Sequence, residues 1–167
     1  FMLELLQPEN GDKILDVGSG SGWTTALLAY IVSQKGNSNF PGREADSLES
    51  CFPISKQQGK VIAIEIVPEL LEFGKQNVSR YNFIEKGIVE FICADGSKGR
   101  PDEAPFDKIL ASATAQIIPQ AWKEQLKIGG KIVAPIGSSI WAVKKITEKR
   151  FEENEYPGFV FVPLITK

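Results

Sequence analysis

Histidine is absent from the 167-residue chain, which also holds only two cysteines and one methionine. Without an imidazole, a proton acceptor near neutral pH has to be a carboxylate or a lysine, unless the reacting group is already ionised. A carboxylate, with a pKa of about 4, is such a group. Cys51 lies in a polar segment and Cys93 in an apolar run, so they form neither a CxxC pair nor a ligand cluster. Free thiols and no metal site are expected. An excess of one charge is also missing: 19 Lys and Arg face 21 Asp and Glu, for a net charge of −2. Proteins that grip phosphate backbones carry surplus positive charge, so no nucleic-acid partner is expected. No apolar run reaches the roughly 18 residues that span a bilayer. The start Phe1-Met2-Leu3-Glu4 lacks the charged-then-apolar layout of a signal peptide. A cytoplasmic monomer without membrane contact is the expectation. Leu3, Leu5 and Leu6 read as the end of an amphipathic helix that starts earlier, so an N-terminally incomplete chain is expected as well.

What is present fits a single α/β domain over residues 1–167, with 43% hydrophobic residues to fill its core. Apolar, strand-like runs at 13–17, 61–65, 89–93 and 106–111 alternate with helical periods at 23–32 and 69–79, the latter introduced by Pro68. A helix over about 119–126, a turn at 127–131 and a fifth strand at 132–136 follow. The segments 141–147 and 158–164 read as a late strand pair around a solvated charged loop, 148–156. Such alternation predicts a Rossmann-like, mostly parallel twisted sheet with helices on both faces. Residues 33–60 interrupt the pattern with Gly36, Asn37, Asn39, Pro41, Gly42 and Pro53. This is longer than an ordinary helix-to-strand connection. It reads as an insertion, either a loosely packed excursion or a substrate-facing element.

The first strand ends in Asp16-Val17-Gly18-Ser19-Gly20-Ser21-Gly22, and Trp23 opens the next helix. Glycines there let backbone approach a ligand, because they reach positive φ and carry no Cβ. The dinucleotide fingerprint GxGxxG needs glycine at position 23, where Trp23 stands, and the Gly-Lys-Ser/Thr ending of a nucleotide-binding P-loop is missing. Asp-x-Gly-x-Gly-x-Gly instead resembles the first motif of class I S-adenosylmethionine-dependent methyltransferases. Asp16 is read either as part of the binding loop or as a buried carboxylate pinning it. Glu65 closes the second strand, where a carboxylate can accept from both ribose hydroxyls of an adenosine. Its spacing from the loop becomes ordinary once 33–60 is set aside. Asp95 and Gly96 follow the third strand, placed to meet an adenine amino group and ring. All three elements lie at carboxyl ends of strands, where open α/β sheets bind ligands.

A longer set of segments is similar to the protein-L-isoaspartate O-methyltransferase family, from Leu3 to about Leu164. These are Leu5-Leu6-Gln7-Pro8-Glu9-Asn10-Gly11-Asp12, the glycine loop, Ala94-Asp95-Gly96-Ser97-Lys98-Gly99, Ile118-Pro119-Gln120, Gln125-Leu126-Lys127-Ile128-Gly129-Gly130, Ala134-Pro135-Ile136-Gly137 and Phe161-Val162-Pro163-Leu164. The resemblance implies the class I methyltransferase fold, S-adenosyl-L-methionine as cofactor, and isoaspartyl carboxylates of damaged proteins as methyl acceptors. It implies cofactor contacts at Gly18, Ser19, Gly20 and Gly22 for the methionine end, at Glu65 for the ribose, and at Asp95 and Gly96 for the adenine. Asp16, Ser21, Trp23 and Ile66 complete the expected cofactor set. Ser112 matches a small residue near the transfer site, or simply permits close packing.

There are departures. The family's Ile-Ser-x-Pro-His segment, which carries the serine usually called catalytic, would lie upstream of Phe1, so no catalytic residue is identified. Gln116 and Ile117 replace the family's proline and acidic residue. A methyltransferase with another acceptor, or a binding domain without turnover, therefore remain the alternatives.

Overall fold

The computed structural model describes residues 1–34 and 58–166. Seven strands among them form one sheet in the order β3-β2-β1-β4-β5-β6-β7. These are β1 Lys13–Val17, β2 Lys60–Glu65, β3 Val89–Cys93, β4 Phe106–Ala111, β5 Leu126–Ile136, β6 Ser139–Lys145 and β7 Phe151–Pro157. The helices are α1 Met2–Leu6, α2 Trp23–Val32, α3 Pro68–Ser79 and α4 Gln120–Gln125. The first five strands pair in parallel, and β6 and β7 add on antiparallel.

The central strands are buried on both faces, which explains their continuous apolar runs. Alternate side chains serve two cores. On one face Ile14, Val61, Leu110 and Val133 pack with Leu6 of α1, Leu28, Ala29 and Val32 of α2, and Val78 of α3. On the other, Leu15, Val17, Ile62, Ile64 and Ile109 pack with Trp122 of α4. Helices therefore cover both faces, as the alternation predicts. The strand order reverses at β1, whose neighbours are β2 and β4, so a crevice opens there at the carboxyl ends.

Three expectations change at the late strands. The charged stretch expected as a loop is β7, paired with β6 from Lys145↔Phe151 to Ser139↔Pro157. Glu152, Glu153, Asn154 and Glu155 are all exposed, so no period of two betrays the strand, and charges suit an unpaired edge. Residues 158–164 are no sheet strand. They cross the carboxyl edge as a strap, held where Thr114 N–H donates to Val162 O (2.8 Å) and Leu164 N–H to Thr114 O (2.8 Å). Phe159 and Phe161 pack inward while Val160 and Val162 stay exposed, which imitates strand alternation in the sequence. The turn expected at 127–131 lies within β5, but pairing with β4 jumps from Phe106↔Leu126 to Lys108↔Lys131. Residues 127–130 thus bulge from the ladder, with Gly129 at φ 84°.

Most of the expected insertion, 35–57, lies outside the described residues. At its borders α2 ends at Val32 and β2 begins at Lys60, which pairs with Lys13. Among the described residues no helix is long and apolar enough to cross a membrane.

Candidate functional site

The loop after β1 is clamped between β2 and α3. Gly18 N–H and Ser19 N–H both donate to Ile64 O, at 2.8 and 3.2 Å, and Gly22 N–H donates to Ser19 O at 2.8 Å. Gly18, Gly20 and Gly22 all hold positive φ, at 75°, 48° and 77°. Their surroundings differ. A Cβ on Gly20 would meet nothing closer than 4.0 Å, whereas one on Gly22 would lie 2.8 Å from Gly74 O and 2.8 Å from Val78 Cγ2. The loop therefore shows Gly20 to open space and presses Gly22 against α3.

Glu65, 7% exposed, ties the loop to the turn that starts α3. Its Oε2 accepts from Gly20 N–H (2.9 Å), and its Oε1 from Ile66 N–H (2.9 Å) and Val67 N–H (3.1 Å). These bonds occupy three of about four acceptor positions on a carboxylate. Asp16, fully buried, faces α2, where Thr25 Oγ1 donates to its Oδ2 at 2.6 Å. Burial raises its pKa to about 6, the negative Glu65 adds to the rise, and the Thr25 bond opposes it. Asp16 Oδ1 and Ser19 Oγ, both buried, have no hydrogen-bond partner among the described residues. Asp95 caps the short 3₁₀ turn Gly96–Lys98: its Oδ1 accepts from Ser97 N–H (2.9 Å) and Ser97 Oγ (2.7 Å).

A cavity of about 320 Å³ opens in the crevice beside the loop. Val17, Gly18 and Gly20 form one wall, Ile64 to Val67 with Leu70 a second, and Ala94 and Gly96 a third. Ser112 and Ala113, just after β4, close it, and Val162 to Leu164 of the strap with the following Ile165 form its roof. Of the expected cofactor residues, the fold brings Gly18, Gly20, Glu65, Ile66 and Gly96 to this cavity, together with Ser112. It does not bring Asp16, Ser19, Ser21, Gly22, Trp23 or Asp95 to the wall. Asp16 belongs to the opposite face of β1 because strand side chains alternate. Ser21, Gly22 and Trp23 line a separate cleft with Asn77, Arg80 and Tyr81, and Trp23 is 68% exposed.

Several contributors were not anticipated. Gly74 sits inside α3, where glycine is a poor helix former; a Cβ there would lie 2.7 Å from Gly20 O. The strap supplies the roof, and its Pro163 bridges to Thr114. The buried Trp122 and Gln125 hold the turn beside Gly96. A glycine in mid-helix and a tryptophan on a helix otherwise polar were the available signals.

Chemically, the cavity joins apolar walls, close backbone and one carboxylate, and its volume falls at the lower end of small-molecule sites, roughly 300–1,000 Å³. A ligand with a ring body and hydroxyl groups turned toward Glu65 suits it. Among the described residues no group of three or more Cys, Asp or Glu is placed to hold a metal ion.

A family model described as protein-L-isoaspartate(D-aspartate) O-methyltransferase matches residues 1–167. The chain is similar to the protein-L-isoaspartate O-methyltransferase of Methanopyrus kandleri, 36% identical over 169 residues, covering 99% of this chain and 64% of that protein. It is similar also to that of Aeropyrum pernix, 38% identical over 168 residues, covering 98% and 55%. The chain thus spans less than two thirds of either relative. A structure from Plasmodium falciparum in complex with S-adenosyl-L-homocysteine shares the fold, with a TM-score of 0.76 and 22% identity over 99% of this chain and 72% of that one.

Proposed function

The chain belongs to the protein-L-isoaspartate(D-aspartate) O-methyltransferase family, and from that premise we propose that it transfers a methyl group from S-adenosyl-L-methionine to the carboxylate of L-isoaspartyl residues in damaged proteins. The observation that carries this reading is the cavity itself, where Gly18, Gly20, Glu65 and Gly96 meet at the carboxyl ends of β1, β2 and β3.

The residues present fit the cofactor. Gly20 leaves open space where a Cβ would stand, and Glu65, on the cavity wall, has an acceptor position beyond its three backbone bonds. S-adenosylmethionine, when bound, supplies a sulfonium methyl to an attacking nucleophile. In this reading Gly18 and Gly20 lend backbone to its methionine end, Glu65 accepts from the ribose, and Gly96 flanks the adenine on the turn that Asp95 caps. Ser19, Ser21, Gly22 and Trp23 set the loop from behind, Ile66 lines the ribose side, and Ser112 stands near the acceptor. Val162 to Ile165 keep water out. The acceptor carboxylate is ionised at pH 7, so alignment rather than a base is the main requirement, in keeping with a chain that has no histidine.

The reading retains a single domain over 1–167 with an insertion at 33–60, and a cytoplasmic monomer, which gel filtration and cell fractionation test. One observation favours a second reading: Ile117, 75% exposed, stands where the family pattern has an acidic residue, which suits a different acceptor. A peptide containing L-isoaspartate and its aspartate twin decide between them. Methylation of the first alone supports repair; binding of S-adenosylhomocysteine without methylation of either supports another acceptor; absence of binding removes the cofactor.

A further inference from the structure

Helix α4 lies on the face of the sheet opposite α2 and α3, yet its side chains reach the cavity wall. Trp122, with no exposed surface, donates from Nε1 to Gly96 O at 2.8 Å. Gln125, 8% exposed, donates from Nε2 to Lys98 O at 2.9 Å, and its Oε1 accepts from Arg100 N–H at 2.7 Å. Three hydrogen bonds to one helix therefore hold the five-residue stretch 96–100 at its residues 96, 98 and 100. Gly99, at φ 62°, fits against the Gln125 amide so closely that a Cβ would overlap it.

On its other side this same turn is the cavity. Gly96 lines the wall, and a Cβ there would sit 2.5 Å from Val17 Cγ1 and 3.7 Å from Ile64 Cγ2, both of which also line it. The turn cannot move inward against β1 and β2, and α4 keeps it from moving outward. The helix is itself fixed: Lys145, 2% exposed, donates from Nζ to Leu126 O (2.9 Å) and Lys123 O (3.2 Å) at its C-terminal end. A short helix, a buried indole and a buried amide thus set the position of one wall.

We propose that Trp122 and Gln125 are positioning residues that hold the adenosine-side wall of the cavity at the spacing a flat ring needs. This rests on the cofactor reading above. Neither side chain lines the cavity, so each acts through the backbone of residues 96–100. Loss of their hydrogen bonds frees the turn to relax away from Val17, weakening contact with a ring without removing any group that touches it.

The test uses the full chain, with Trp122→Phe, which keeps an aromatic ring without the N–H, and Gln125→Met, which keeps the length of the side chain without the amide. Ile140→Ala, in the opposite core, serves as a variant that lowers stability alone. Calorimetry at 25 °C measures S-adenosylhomocysteine and 5′-methylthioadenosine, which share the 5′-thioadenosine half but not the amino-acid end, and thermal unfolding is recorded for each protein. Both ligands are expected to weaken by a similar factor, about tenfold, the order set by one buried hydrogen bond. Ile140→Ala melts earlier yet binds both normally. Wild-type affinity for both ligands in Trp122→Phe and Gln125→Met, alongside a lower melting temperature, assigns them a purely structural role and overturns the proposal. Weakening of S-adenosylhomocysteine alone overturns it too, since the wall would then act on the other half. If Trp122→Phe does not fold, Gln125→Met decides by the same criterion. If the wild-type chain binds neither ligand, the cofactor reading falls, and the positioning role with it.

Discussion

Replacing Gly74 by alanine sets two physical effects of opposite sign against each other. In an exposed helix interior, alanine is favoured over glycine by about 1 kcal/mol, so propensity alone predicts a more stable protein. Gly74 is buried in α3, however, and its added Cβ would lie 2.7 Å from Gly20 O, 3.3 Å from Phe91 Cε1 and 3.4 Å from Gly22 N. The closest of these is a backbone carbonyl in a loop fastened to Ile64 O and to Glu65, so no flexible side chain can swing aside. Relief requires a shift of several tenths of an ångström, and overpacking of this kind costs about 1–3 kcal/mol. Net destabilisation of about 0–2 kcal/mol follows, a fall in Tm of up to about 8 °C at this chain length. The ligand effect is the sharper one. The shift pushes Gly20 toward the cavity and strains its 2.9 Å bond to Glu65, so S-adenosylhomocysteine affinity is expected to fall by about tenfold or more. Thermal unfolding and calorimetric titration of Gly74→Ala measure both quantities. A variant that melts higher than wild type and binds as tightly would show helix propensity outweighing the loop contact, the opposite of this expectation.

Further outcomes are expected elsewhere. Glu65→Ala leaves the N–H groups of Gly20, Ile66 and Val67 without their acceptor, and is expected to destabilise by about 1–3 kcal/mol in urea titration and to abolish measurable S-adenosylhomocysteine binding. For Asp16, burial raises the folded pKa from 3.8 to about 6, so between these values the folded state binds more protons than the unfolded state. Its contribution therefore favours folding below about pH 4 and is lost as pH rises through about 6, a difference of roughly 3 kcal/mol. The stability difference between wild type and Asp16→Asn, measured at pH 4.5 and 7.5, is expected to shift in favour of the variant at the higher pH; an unchanged difference would contradict the raised pKa. Lys145→Met removes the donor to Lys123 O and Leu126 O and the partner of Glu148 at 2.8 Å. It is expected to cost about 1–3 kcal/mol and to raise hydrogen exchange in α4 ahead of the rest of the sheet.

Local physics leaves a periodic mark on the central strands, which are legible in the sequence. Runs such as Ile14-Leu15 and Val61-Ile62-Ala63-Ile64 are apolar at successive positions because both faces of a parallel strand are covered, and they became β1 and β2. At β7 an exposed edge imposes no burial pattern, and at 158–164 a strap packed on one side copies the alternation of a strand. Periodicity records which side chains meet a core and not which backbone is paired.

The parallel α/β architecture, the glycine loop with its need for positive φ, and the likeness to one methyltransferase family are legible in the sequence. These depend on residue types at short spacing, where conformation is set by neighbours along the chain. Which of those residues face the cavity follows from how distant segments pack. Asp16 and Glu65 are both acidic and both near strand ends, yet alternation turns Asp16 toward Thr25 while Glu65 closes on Gly20. The close approach of Gly74 to the loop, the grip of Trp122 and Gln125 on residues 96–100, and the roof formed by Val162 to Ile165 join segments 25 to 145 positions apart. No local pattern encodes contacts of that separation; they follow from packing two faces of one sheet against different helices.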